Sequence, residues 1–295
     1  MNRLPIVFST DHNYVMPTCV TIHSLLTTAK AGVNYDINVI IDPNVTEEDK
    51  IILKRQVEKD NQESIIHFLE IGDTFSDGFE IRDISRACYN RLMIPWLLPQ
   101  YEKVVYSDVD IIFTGDISDV YDFDLGSSLV AGVGADTWTK GVIKKYMDKI
   151  GADASNYINS GFLLINSKLQ RDENLQSKYL ELSKRKFIYQ DQDIINLVCK
   201  GRIAKLHDKY NVRPIDVYDL AEDDVRVIHF FGFKPWNHFT FSWKNWWDMY
   251  QTSQVYDAAY SKKISKQILR WNDVIHTKKK ALQQRIRFYQ QYIQS

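Results

Sequence analysis

A chain of 295 residues with 44% hydrophobic and 13% aromatic content can bury a substantial core, which excludes a wholly disordered protein. A formal net charge of −1 excludes a globally basic nucleic-acid binder, and three widely spaced cysteines, Cys19, Cys88 and Cys199, supply neither a disulfide framework nor a CxxC metal site. The apolar run before Asp11 is too short for a signal-peptide core and no stretch approaches the roughly 20 apolar residues of a membrane span, so a cytosolic protein is expected.

Leu4 to Thr10 (LPIVFST) reads as a first strand, followed by the polar turn Asp11, His12, Asn13, Tyr14 and a helix with Cys19, Ile22 and Leu26 on one face. Strand, turn and helix form half of a βαβ nucleotide unit, but the glycine-rich cradles of NAD and P-loop proteins are missing. Asp11 and Asn13 are candidates to hydrogen-bond a base edge, with Tyr14 stacking on its ring; a helix N-cap followed by a core aromatic is the alternative. Tyr35 to Asp42 is a second strand, Thr46 and Asp49 open a helix as a capping box, and Ser64 to Ile71 is a third strand. A helix around Ser85 to Met93 carries Arg86 and Arg91, with Pro95 and Pro99 marking its exit.

Lys103 to Thr114 (KVVYSDVDIIFT) carries the strongest local signal. A buried strand ends in Asp108 and Asp110, two acids that repel each other and therefore call for a counter-charge. Ligands of open α/β sheets bind beyond the carboxyl ends of strands, and carboxylates suit Mn²⁺ or Mg²⁺. After an acid-rich loop, Asp116 to Asp124, the strand Leu129 to Gly134 delivers Asp136 to its end. Asn159 to Asn166 (NSGFLLIN) is a further strand, in which Gly161 permits close backbone approach while Asn159 and Ser160 offer groups that bind hydroxyls. A helix over Gln190 to Lys200 holds Asp191, Gln192 and Asp193 in its first turn, more polar groups than a cap requires. The last strand, Val225 to Phe231, contains His229, either a satisfied core histidine or a ligand beside the two acids, and leads to Gly232 and Lys234, a cation available to phosphate.

Trp236 to Tyr250 is rich in aromatics, which either stack on an acceptor sugar or pack as a lid. The simplest division is a domain over residues 1–250 and a basic amphipathic tail over 251–295. From Ser261 onward nine lysines and arginines face the single acid Asp273. Ile264, Ile268, Trp271, Ile275, Leu282, Ile286, Tyr289 and Ile293 recur at helical spacing, as in a helix lying on an anionic bilayer or binding a partner.

Taken together, IVFSTDHNY (Ile6 to Tyr14), YNRL (Tyr89 to Leu92), VVYSDVDIIF (Val104 to Phe113), NSGFLLIN (Asn159 to Asn166), QDQDIIN (Gln190 to Asn196) and HFFGFKPW (His229 to Trp236) resemble the family 8 retaining glycosyltransferases in order and spacing. The resemblance implies a GT-A-type nucleotide-sugar domain of α/β class, with a mixed, mostly parallel central sheet and a C-terminal helical tail. It implies Mn²⁺ or Mg²⁺ on Asp108, Asp110 and His229, holding the diphosphate of a UDP-hexose, with Gly232 and Lys234 beside the phosphates. Asp11, Asn13 and Tyr14 then surround the uracil and ribose, and Arg91, Asp136, Asn159, Asp191 and Gln192 the donor sugar, Gln192 and Asp191 serving as catalytic groups. The implied reaction moves galactose or glucose to a saccharide or lipid-linked glycan, in the cytoplasm or at the inner face of its membrane, with no nucleic acid as partner. Two rivals are a phosphatase with a strand-end D-x-D nucleophile, against which Ile111 and the lack of a second acidic pair count, and a non-catalytic UDP-sugar or glycan-binding protein on the same fold.

Overall fold

The computed structural model describes residues 3–72, 74–75, 77–79, 86–135, 141–221, 224–238 and 240–268. Asp136 and all of the tail beyond Ile268 lie outside the described residues. The strands in chain order are β1 (Leu4–Thr10), β2 (Tyr35–Ile41), β3 (Ile65–Glu70), β4 (Val104–Ser107), β5 (Ile111–Phe113), β6 (Val130–Gly134), β7 (Ile158–Ile165), β8 (Ile203–Lys205) and β9 (Val227–His229). The helices are α1 (Val15–Thr28), α2 (Glu47–Asp60), α3 (Ile94–Leu97), α4 (Val142–Ile150), α5 (Ser167–Asp172), α6 (Gln176–Ser183), α7 (Gln190–Val198), α8 (Trp243–Thr252) and α9 (Ala258–Ile268).

Seven strands make one sheet in the order β3-β2-β1-β4-β7-β6-β8. Only β7 opposes its neighbours, β4 and β6, so the sheet is mixed and mostly parallel, as expected. Alternation along β1 divides the core: Ile6 and Phe8 pack with Cys19, Ile22 and Leu26 of α1 and Leu53 and Val57 of α2, while Val7 packs on the opposite face with Tyr106, Leu163 and Ile194. Burial on both faces explains why these strands are apolar at nearly every position. The capping box at α2 forms: Thr46 Oγ1 accepts from Asp49 N at 3.2 Å, and Thr46 N donates to the Asp49 carboxylate at 2.8 Å.

The structure changes the reading in several places, among them the last strand, which is Val227–His229 and not the expected Val225 to Phe231. The expected helix ending at Met93 is a 3₁₀ run, Arg86–Met93, and Pro95 lies at the start of α3 instead of closing a helix. Proline costs nothing in a first turn, where its missing N–H has no partner to lose. The D-x-D segment also joins two sheets: β4 belongs to the main sheet, whereas β5 pairs antiparallel with β9.

The aromatic stretch divides. Trp236, Trp246, Trp247 and Tyr250 are buried in one cluster with Ile112, Ile228 and Ile264, and Trp246 stacks on Tyr250 with ring centroids 5.2 Å apart, so these four pack; Phe241 and Trp243 remain exposed. Among the described residues no helix is long and apolar enough to cross a membrane.

Candidate active site

Two ladders deliver the site. In the β5–β9 pair Ile111 lies opposite His229, and Phe230 N donates to Asp110 O at 2.8 Å, so the last strand sets His229 beside the second acid. On the other side the β4–β7 pairing continues past its last registered pair, with Asp108 N donating to Gly161 O at 2.8 Å. Below the acids, the Thr21 hydroxyl of α1 lies 2.9 and 2.8 Å from the carbonyls of Val109 and Ile111, fixing the backbone between the two sheets.

One ligand atom from each of Asp108, Asp110 and His229 falls within 4.8 Å of the others. His229 Nε2 is 3.1 Å from Asp110 Oδ1 and 3.7 Å from Asp108 Oδ2. Asp110 Oδ1 is buried yet has no hydrogen-bond partner, a cost of the order of 1–3 kcal/mol unless something else occupies it. Two carboxylates, an imidazole and an orphaned buried oxygen fit a divalent cation such as Mn²⁺ or Mg²⁺. The cleft also requires Gly161: a Cβ there would lie 2.1 Å from His229 Cε1 and 2.9 Å from Asp108 Oδ2. The sequence marked that glycine for close approach without showing what approaches it.

Fixed cations frame the acids. Arg91 is buried, its guanidinium 4.5 Å from the Tyr106 ring centroid, with Nη2 2.7 Å from Asp108 Oδ1 and Nε 3.2 Å from Asp191 Oδ2. Its Nη1 donates to Ser160 O at 2.9 Å, so one side chain joins the D-x-D turn, β7 and α7. Tyr106 OH donates to Asp108 Oδ1 at 2.7 Å. Lys234 Nζ pairs with Asp110 Oδ2 and donates to Phe230 O at 3.1 Å. Burial, the largest single influence, pushes the Asp110 carboxyl up, but Lys234 and His229 together outweigh it and hold the group well below the usual carboxylate range. Asp191 is different: burial raises it, and the nearby Asp108 charge adds to that against the pull of Arg91.

The remaining candidates gather around this centre. Asp191 and Gln192 occupy the first turn of α7, entered through Gln190 at a positive φ of 42°, a conformation costing roughly 1–3 kcal/mol in a non-glycine residue. Ser160 Oγ donates to Asp191 Oδ2 at 3.0 Å, and Gln192 Oε1 accepts from Asn159 Nδ2 at 3.0 Å and Ser160 N at 3.1 Å. Asp11 caps its turn, Oδ1 accepting from Asn13 N and Tyr14 N at 2.8 and 3.1 Å; the cap is real and leaves the second oxygen for another partner. Asn13 is exposed, and Tyr14 meets Trp236 edge-on at 5.9 Å. Gly232 adopts φ +102°, which favours glycine, at an exposed position two residues before Lys234. Sequence reasoning missed Thr21 and Tyr106, because a threonine in a helix and a tyrosine in a strand carry no local sign of what they will touch.

A family model described as Glycosyl transferase family 8 matches residues 5–240. A Haemophilus influenzae protein assigned to the glycosyltransferases is 29% identical over 220 residues, 72% of this chain and 64% of that one. The lipopolysaccharide glucosyltransferase WaaO of Escherichia coli is 26% identical over 274 residues, 87% of this chain and 77% of that protein. Four curated relatives are spanned by this chain over only 49–67% of their own length. A crystal structure of the galactosyltransferase LgtC with donor and acceptor sugar analogs superposes with a TM-score of 0.75 at 24% identity, covering 88% of this chain and 100% of that one, and the shared fold is of GT-A type.

Proposed function

The chain belongs to glycosyl transferase family 8, and from that premise we propose that it is a metal-dependent retaining hexosyltransferase. It moves galactose or glucose from a UDP-sugar to a glycan or lipid-linked saccharide acceptor, in cytoplasmic synthesis of a bacterial surface polysaccharide. The observation that carries this reading is the convergence of Asp108, Asp110 and His229, with an orphaned oxygen between them, at the carboxyl ends of the strands.

A divalent cation held by these three residues supplies positive charge to the diphosphate that departs from the sugar. Lys234, now closed on Asp110, stands next to that position and offers its ammonium to the same phosphates. Asp11, Asn13 and Tyr14 lie on the neighbouring strand end, where a uracil and ribose would extend from the phosphates. Asn159, Asp191, Arg91 and Gln192 form the wall for the sugar.

Retention by double displacement needs a free carboxylate beneath the anomeric carbon. Asp191 is engaged by Arg91 and Ser160, which favours instead a front-face substitution in which the departing phosphate oxygen takes the acceptor proton and the Gln192 amide stabilises positive charge on the sugar.

The test is nucleotide release from a panel of UDP-, GDP- and CMP-sugars with Mn²⁺. Slow hydrolysis of one UDP-hexose, lost with chelator and in Asp108→Ala, is the expected result. UDP binding with no release, even with glycan acceptors present, would convert the reading to a UDP-sugar-binding protein. A sugar trapped covalently on Asp191 of the unmodified enzyme would end the front-face scheme.

A further inference from the structure

We infer that Asn211 is a positioning residue for the metal site, holding the His229 imidazole in the tautomer whose Nε2 lone pair faces Asp108 and Asp110. The inference rests on the metal reading above and adds to it a residue outside every segment that carried the resemblance.

The argument starts from a backbone N–H, whose direction no side-chain rotation can reverse. Gly161 N donates to Asn159 Oδ1 at 2.9 Å, so that atom is the amide oxygen and its partner atom on Asn159 is the NH₂. A second backbone group agrees: Ser160 N donates to Gln192 Oε1, which makes Gln192 the acceptor for Asn159 Nδ2. Asn211 Nδ2 donates to the same Asn159 oxygen at 2.8 Å, which leaves Asn211 Oδ1 facing His229 Nδ1 at 2.9 Å. An amide oxygen only accepts, so Nδ1 carries a proton, and in the neutral imidazole Nε2 is then the bare nitrogen.

The opposite tautomer would require Asn211 to turn over, then Asn159, and would finally set an NH₂ against the Gly161 N–H. With Nδ1 held as the donor, the Nε2 lone pair is left to a cation lying between Asp108 and Asp110.

Asn211 is buried and its place is set by the fold. Val212 bridges to Ile228 in parallel, with Val212 N donating to Val227 O and His229 N donating to Val212 O, both at 2.9 Å, so the residue before Val212 is carried to the side of His229. The relay reaches Gln192, whose NH₂ donates onward to Tyr157 OH at 3.2 Å, and the imidazole and the proposed sugar-facing amide are thus held by one hydrogen-bonded chain.

The test uses the full chain with ¹⁵N-labelled histidine, freed of metal, with long-range ¹H–¹⁵N correlations reading the His229 tautomer and electron paramagnetic resonance reading binding of Mn²⁺ alone. The wild type is expected to be protonated on Nδ1. Asn211→Leu, with no acceptor, is expected to move the proton to Nε2 and to weaken Mn²⁺ binding about 10- to 100-fold, the usual size of a lost outer partner. Asn211→Asp keeps an oxygen acceptor, holds the wild-type tautomer and binds Mn²⁺ more tightly than Asn211→Leu. A wild-type His229 protonated on Nε2, or an Asn211→Leu variant unchanged in both tautomer and affinity, overturns the inference; the wild-type spectrum and Asn211→Asp decide it should Asn211→Leu fail to fold. Nδ1 protonation in a wild type that binds no Mn²⁺ would support the relay and overturn the metal reading instead.

Discussion

His23 and His229 are both buried, at 4% and 2% exposure, and each lies against aspartate, yet their surroundings differ in one respect. Around His23 every donor meets an acceptor: Nδ1 is 2.7 Å from Asp60 Oδ2, Nε2 is 2.8 Å from Thr252 Oγ1, and Gln56 Nε2 donates to the same Asp60 oxygen at 2.6 Å. That cluster joins α1, α2 and the end of α8 and asks for nothing more. Around His229 a ring nitrogen and two carboxylates converge and one carboxylate oxygen has no partner. A buried histidine beside acids is therefore no sign of a site by itself; acceptors left facing one another are.

The largest break in this comparison should come from the acids at His229. Asp108→Ala is expected to lower Mn²⁺-dependent sugar release at least about 10³-fold, a loss of roughly 4 kcal/mol in the barrier, measured with saturating donor. The converse change is His23→Ala, which removes one member of a buried pair and should lower unfolding free energy by roughly 3 kcal/mol while leaving Mn²⁺ affinity of the folded protein unchanged. Denaturant titration and metal titration of the same sample separate the two. If His23→Ala lost metal binding with no loss of stability, the distinction drawn here would fail.

Gly161→Ala sharpens the comparison with a single methyl. The added carbon would have to displace the His229 ring, so Mn²⁺ affinity should fall about 10-fold or more with the main sheet intact by circular dichroism.

The smallest effect concerns Asp193, a satisfied acid next to the site. Burial raises its carboxyl to about 6, against hydrogen bonds from Tyr146 and Tyr157, each at 2.5 Å. An unfolded aspartate loses its proton near pH ~3.9, so the folded state holds the extra proton between about pH 4 and 6. The stability from this group is full below that window and falls as pH rises through it. The thermal midpoint of the wild type, relative to Asp193→Asn, should therefore drop by a few degrees across pH 4 to 6 and level off above; a flat difference would remove the assignment.

Much of this could be read from the chain. The apolar patterns mark β1 and β2 within a residue and place a helix at α1, and the capping box that opens α2 at Thr46 needs only contacts three residues apart. The D-x-D at a strand end and a histidine in the last apolar run pointed to the same cluster that the fold brings together. The 3₁₀ run before Met93 was read as a helix because one residue's difference in hydrogen-bond spacing leaves little trace in the pattern of apolar side chains.

The chain by itself determined which residues are acids and where the longer buried strands lie, because those depend on local backbone preference and on runs of apolar side chains; the limits of the shorter elements, such as β9 at Val227–His229, followed from pairing in the fold. The tertiary structure alone decided that Arg91 spans Asp108 and Asp191, that Lys234 closes on Asp110 and that Asn211 stands behind His229. The Lys234 pair is 124 residues apart in sequence, and such contacts arise from the register of β5 with β9 and the reversal of β7, which no local pattern encodes.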